Sequence, residues 1–181
     1  MKINSDTYYH IYNRGNNKDI TFFEDDNYIY FLNQFKKFVI PFCEVQAYCL
    51  MPNHFHFFIV VNDKTLFEKG IKNFFISYSK AINKRYNRVG SLFQGRYKAS
   101  EITSDSYYTT IITYIHQNPV AAGLVKKIED YKYSSYAAYL SKKESMITRN
   151  EVLEWFGGLD SFIEHHKIMM NEAEINKQLN L

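Results

Sequence analysis

Cysteine, proline and glycine are all scarce in this 181-residue chain, which has two Cys, three Pro and seven Gly. Two thiols cannot staple a small secreted scaffold, so a disulfide-built domain is excluded. So little Pro and Gly excludes a collagen-like or low-complexity chain. No run of about 18 apolar residues occurs, which excludes a membrane-spanning helix. The opening stretch Met1-Lys2-Ile3-Asn4-Ser5-Asp6 lacks the apolar segment of a signal peptide. Together with the small number of thiols, this points to a cytoplasmic protein.

Aromatic residues are abundant, with 16 Tyr and 15 Phe, and 46% of the chain is hydrophobic. That composition can bury a real core, and the length fits one domain with a modest appendage. The net charge of +3 conceals a division. From Lys64 to Lys98 there are nine basic residues and one acid, while the remainder has thirteen basic residues and eighteen acids. A local basic stretch in an otherwise acidic chain suits a polyanion, although a solvated helix face would look the same.

Hydrophobic periodicity gives the order β-α-β-β-α-β-α. Thr7 to Asn13 reads as a strand closed by the turn Arg14-Gly15-Asn16-Asn17. A helix capped by Asp25 or Asp26 runs to Phe38, with Tyr28, Phe31, Leu32, Phe35 and Phe38 as its buried stripe. Cys43–Leu50 and His54–Val61 form a hairpin about Met51-Pro52-Asn53, with Cys43, Val45, Ala47 and Cys49 expected on one face. A long helix covers Leu66 to Asn87, and a fourth strand lies near Arg96 to Ile102. A third helix, capped by Ser104, Asp105 or Ser106, is expected to stop at Pro119. The expected fold is α+β: a ferredoxin-like split βαβ sandwich, an antiparallel sheet with helices on one face. Residues 1–140 are read as this domain and 141–181 as a C-terminal helical tail. Within the tail, Thr148-Arg149-Asn150-Glu151 matches a capping box, and seven acids against three basic residues from Glu144 to Leu181 set the segment apart.

Two local patterns carry chemistry. On a strand, His54 and His56 project together while Phe55, Phe57 and Ile59 project into packing. Two imidazoles side by side on a rigid strand are a metal platform, or else two hydrogen-bonded surface histidines. On the last helix Tyr114 and Asn118 are one turn apart and only about 40° round, so both can face one site. Each also has a bland role, Tyr114 as core packing and Asn118 as a helix end before Pro119. Taken together, two imidazoles and an amide oxygen could hold Mg²⁺ or Mn²⁺, which would polarise a phosphate for attack by the Tyr114 phenol. Cys43 and Cys49, about 20 Å apart along a strand, could not share an ion and read as buried thiols.

The segments Tyr9-His10-Ile11-Tyr12-Asn13-Arg14-Gly15, Met51-Pro52-Asn53-His54-Phe55-His56, Leu92-Phe93-Gln94-Gly95-Arg96-Tyr97-Lys98 and Tyr114-Ile115-His116-Gln117-Asn118-Pro119 through Val125 together resemble the single-tyrosine HUH transposases. The resemblance is greatest to their REP-associated branch and covers about residues 7 to 140. It implies an HUH nuclease fold, a divalent metal (Mg²⁺ or Mn²⁺), a 5′-phosphotyrosine intermediate and single-stranded DNA bearing hairpins. It assigns His54 and His56 as the HUH pair, Tyr114 as nucleophile and Asn118 as third ligand, where many relatives have Gln. Arg14, Lys80, Lys84, Arg85, Arg88, Gln94, Arg96 and Lys98 are the candidate DNA contacts. Such a protein would act as a monomer or a homodimer. Two alternatives stay open at this level: a domesticated relative that only binds hairpins, and a non-enzymatic ferredoxin-like DNA- or RNA-binding module.

Overall fold

The computed structural model describes residues 3–104 and 107–170; Asp105 and Ser106, two of the expected helix caps, lie outside the described residues, as do 1–2 and 171–181. The chain runs β1 (Thr7–Arg14), α1 (Asp25–Phe38), β2 (Cys43–Met51), β3 (His54–Val61), α2 (Lys64–Arg85), β4 (Lys98–Glu101) and α3 (Tyr108–Ala121). The strands form one antiparallel sheet in the order β2-β3-β1-β4. This is the α+β, ferredoxin-like arrangement read from the sequence.

Strand alternation divides the sheet into two unlike faces. Tyr9 and Ile11 of β1 and Phe55, Phe57 and Ile59 of β3 form one face, all buried. Against it lie α1 and α2: the Phe35 ring stacks on Phe57 at 4.2 Å, and Phe31 meets Phe55, Phe57, Phe74 and Tyr78. The other face carries Tyr8, His10, Tyr12, His54, His56 and Phe58. It is covered by α3, which packs on β2 and β3. Tyr108 sits 4.5 Å from Tyr8 and 5.5 Å from Phe58, ring to ring. The expectation of helices on one face therefore holds for α1 and α2 alone. Ile111, Ile112 and Ile115 need apolar cover, and Tyr8 and Phe58 give the second face enough to hold a helix.

The structure corrects four further expectations. Cys43 and Cys49 do not share a face. A β-bulge between Val45 and Ala47 shifts the register, so Cys43 and Val45 pair with Val61 and Ile59 while Ala47 and Cys49 pair with Phe58 and His56. One extra residue, Gln46, inverts the alternation beyond it. Both thiols are buried as expected, and burial pushes Cys43 up to about 12 and Cys49 higher still.

Pro119 does not stop α3. The helix has only one more short turn to make, so the lost N–H costs one bond near an end. It closes beyond Ala121, where Gly123 takes φ +70° and Leu124 donates its N–H to the Pro119 carbonyl.

Residues 141–170 are helical as expected but are not set apart from the core. After α4 (Tyr136–Tyr139), the chain forms α5 (Arg149–Phe156) and α6 (Leu159–Lys167), both packed on α3. Val152, Phe156 and Phe162 are buried in the same core as the sheet. The short helix read through Val152, Leu153 and Phe156 is α5, while the i,i+4 pair Phe162/His166 of α6 went unread among the acidic residues. The capping box is not made: the Thr148 hydroxyl donates to the Val45 carbonyl and Glu151 accepts from the Tyr8 hydroxyl. Leu50 N–H bonds to the Tyr133 carbonyl and Thr148 N–H to the Val45 carbonyl, which covers the exposed edge of β2.

Candidate active site

The second sheet face opens into a cleft of about 710 Å³ lined by Tyr12, Asn13, Arg14, Lys18, Asn53, His54, Phe55, His56, Gln94, Lys98, Tyr114 and Asn118. His54 and His56 come from the start of β3, where the Pro52-Asn53 turn delivers them side by side, ring centroids 5.1 Å apart. Tyr114 and Asn118 come from consecutive turns of α3. The Tyr114 ring meets His56 edge-on at 5.7 Å and is itself only 8% exposed. Four of the sequence candidates for chemistry thus converge, and all belong to one chain.

Burial governs the imidazoles. Desolvation brings His54 down to about 4, helped by the Arg14 charge, and brings His56 well below the ordinary histidine value. Both are neutral near pH 7, the form in which a ring nitrogen offers a lone pair.

Hydrogen bonds fix which nitrogen of His54 is offered. The Asn53 amide donates from Nδ2 to the Lys18 carbonyl (3.0 Å), leaving Oδ1 for His54 Nδ1 at 2.7 Å. An amide oxygen only accepts, so the His54 proton sits on Nδ1 and Nε2 carries the lone pair. Asn118 donates from Nδ2 to the Tyr114 carbonyl at 2.8 Å, leaving Oδ1 as the atom that meets His54. An imidazole lone pair and an amide oxygen then converge with no hydrogen between them. Two facing acceptors repel unless a cation lies between, so the donor set fits a divalent ion. Among the described residues no cluster of three or more His, Cys, Asp or Glu groups could hold a metal elsewhere. Two imidazoles and one neutral oxygen leave coordination positions open for phosphate and water.

The eight candidate DNA contacts fall into separate places. Arg14, Gln94 and Lys98 line the cleft, exposed at its rim. Arg96 is exposed nearby but does not line it. Lys84 and Arg85 line a different groove, between α1 and α2, and Lys80 is exposed on α2. Arg85 pairs with Glu24 at 2.7 Å and Arg88 with Asp19 at 3.8 Å. Such exposed pairs contribute about 0–1 kcal/mol, and a polyanion could compete for either cation.

Sequence reasoning missed Lys18, Asn53 and His10. Lys18 reaches the rim because the loop after β1 folds back tightly: a Cβ on Gly15 would lie 2.0 Å from the Asp19 carbonyl oxygen. Asn53 was visible only as a turn residue, and His10 only as one member of a strand. The His10 Nε2 lies 2.9 Å from His56 Nδ1.

Comparison with known proteins bears on the family and the fold. Residues 4–118 match the family model described as IS200-like transposase. A Haemophilus influenzae protein described as a REP-associated tyrosine transposase is 26% identical over 123 residues, covering 59% of this chain and 69% of its own length. A solved REP-associated tyrosine transposase bound to a REP hairpin shares the fold, with a TM-score of 0.61 and 17% identity over 78% of this chain and 84% of that one.

Proposed function

The chain belongs to the IS200-like transposase family, and from that premise we propose that it cuts and rejoins single-stranded DNA near a hairpin through a phosphotyrosine intermediate. The observation that carries this reading is the convergence of His54, His56, Asn118 and Tyr114 in one cleft from segments far apart in sequence. His54 Nε2, His56 and Asn118 Oδ1 would hold a divalent cation. Mg²⁺ or Mn²⁺ held there supplies Lewis-acid polarisation of a phosphate oxygen.

The residues themselves do the rest. Tyr114 is carried on a helix pinned to the sheet, so the phenol is aimed rather than free to wander, and positioning accounts for much of such a reaction. Its oxygen forms a bond to phosphorus while the bond to the 3′ oxygen breaks. The phenol loses a proton and the departing 3′ oxygen gains one. The product is a 5′-phosphotyrosine, which keeps the energy of the broken diester, so a later 3′ hydroxyl can reverse the step. Arg14, Lys18 and Lys98 at the rim would hold neighbouring phosphates. Tyr12, over which the Lys98 ammonium sits at 5.7 Å, offers a ring for an unpaired base. A single copy suffices, since every group named comes from one chain.

The test is covalent capture. A 3′-labelled single-stranded hairpin incubated with the protein and Mn²⁺ should give a complex that survives denaturation. Tyr114→Phe should give none, while its hairpin affinity stays within about threefold. A persistent adduct in that variant would refute the nucleophile assignment.

A further inference from the structure

His10 is completely buried, yet among the described residues its one polar contact is to His56. The two rings stack nearly parallel, 5.1 Å apart at 8°. His10 Nδ1 has no hydrogen-bond partner among the described residues. Two imidazoles in contact through Nε2 and Nδ1 share one proton in that contact. If His10 donates it, His56 must carry its own proton on Nε2 and has no lone pair for a cation. If His56 donates from Nδ1, its Nε2 lone pair is free.

We propose that His10 is a positioning residue: it accepts the His56 Nδ1 proton and so makes His56 a metal ligand. This rests on the metal-dependent reading above. The two ligands are then oriented by different means. His54 is set by the amide oxygen of Asn53, which can only accept. His56 is set by a second imidazole, held against Tyr12 at 4.9 Å and edge-on to Tyr114 at 6.3 Å. A buried polar side chain whose one partner is a ligand does little for the fold. An aromatic hydrocarbon at this position removes one unpaired buried nitrogen, His10 Nδ1, and leaves another, His56 Nδ1, so the two changes largely offset in the fold. Outer partners of metal-bound histidines are worth about 10–100-fold in metal affinity. Stability and metal binding should therefore part company at this residue.

The experiment titrates Mn²⁺ alone into the full chain by calorimetry and records a thermal melt for each variant. His10→Phe keeps a ring in the stack and removes the acceptor; it should melt within a few degrees of wild type and bind Mn²⁺ about 10–100-fold more weakly. His10→Gln returns an amide oxygen near the Nε2 position and should recover most of that affinity. Equal Mn²⁺ affinity in wild type and His10→Phe would overturn the His10 assignment and leave the metal reading standing. A wild-type chain that binds no Mn²⁺ at millimolar concentration would overturn both. Should His10→Phe fail to fold, nitrogen-labelled wild type loaded with Mg²⁺ decides: a coupling across the His10–His56 hydrogen bond with the proton on His56 supports the assignment, and the proton on His10 refutes it.

Discussion

The two faces of the sheet are made from the same strands and could hardly differ more. Toward α1 and α2, Phe31, Phe35, Phe55, Phe57 and Phe74 interlock with every ring buried. Toward α3, the same β3 strand presents His54 and His56 to a cleft with a cationic rim. Successive residues point to opposite sides, so one strand can serve a dry core and a polar site without compromise. Rigidity on the first face is what holds the imidazoles still on the second.

Substitution should separate the faces, and the widest gap is expected within β3. His54→Ala should reduce Mn²⁺-dependent cleavage by more than about 100-fold, beyond what loss of an outer partner costs, with melting changed by only a few degrees. Phe57→Ala, three positions on, should cost about 3–5 kcal/mol and lower the melting temperature by about 10 °C, with the remaining folded protein still cleaving. If His54→Ala unfolds the chain, or Phe57→Ala melts normally, the division of labour is wrong.

A smaller effect separates the faces by pH. On the α3 side the His166 Nε2 bonds to His116 Nδ1 at 2.8 Å, and His116 Nε2 to the Ser135 hydroxyl at 2.7 Å. Burial lowers His166 from 6.5 to about 4. The folded state thus favours its neutral form, and the unfolded chain binds the proton first. Its contribution is complete above pH 6.5 and is lost as pH falls toward 4, up to about 3 kcal/mol. The melting temperature should drop across that window, and His166→Phe should make the slope shallower. An unchanged slope would remove His166 from the account.

The smallest difference concerns the two basic surfaces. Lys98→Ala, at the cleft rim, should weaken hairpin binding a few-fold at low salt and reduce the salt slope by about 1. Lys84→Ala, in the groove between α1 and α2, should do less. The reverse ranking would move the DNA to the helical face.

Much of this was legible beforehand. The bounds of β3 and the shared side of His54 and His56 follow from alternation, and the pairing of Tyr114 with Asn118 follows from helical geometry. The remainder was hidden for identifiable reasons. His10 lies in a run of β-formers, and nothing in Tyr9-His10-Ile11 says that its nitrogen meets another strand's histidine. Asn53 reads as a turn residue, while its second hydrogen bond depends on where the loop after β1 folds back. The helix through Val152, Leu153 and Phe156 was legible, but the acidic count made the segment look detached and masked the i,i+4 spacing of Phe162 and His166 in α6. Pro119 was read by its usual effect in mid-helix, which weakens one turn from an end.

Gln46 has a reach out of proportion to its size. As a base insertion changes the reading of every codon after it, this one residue exchanges inside for outside along the rest of β2. Tyr48 and Leu50 are turned toward the phenylalanines, and Cys49 and Met51 toward the helix that carries Tyr114. Deleting it would leave Val45 and Ala47 adjacent and still opposite Ile59 and Phe58, so each later residue would keep its side and only the local kink would go. A register that took Gln46 into the ladder would instead turn half a strand over and rebuild the floor beneath the reacting groups from the wrong side chains.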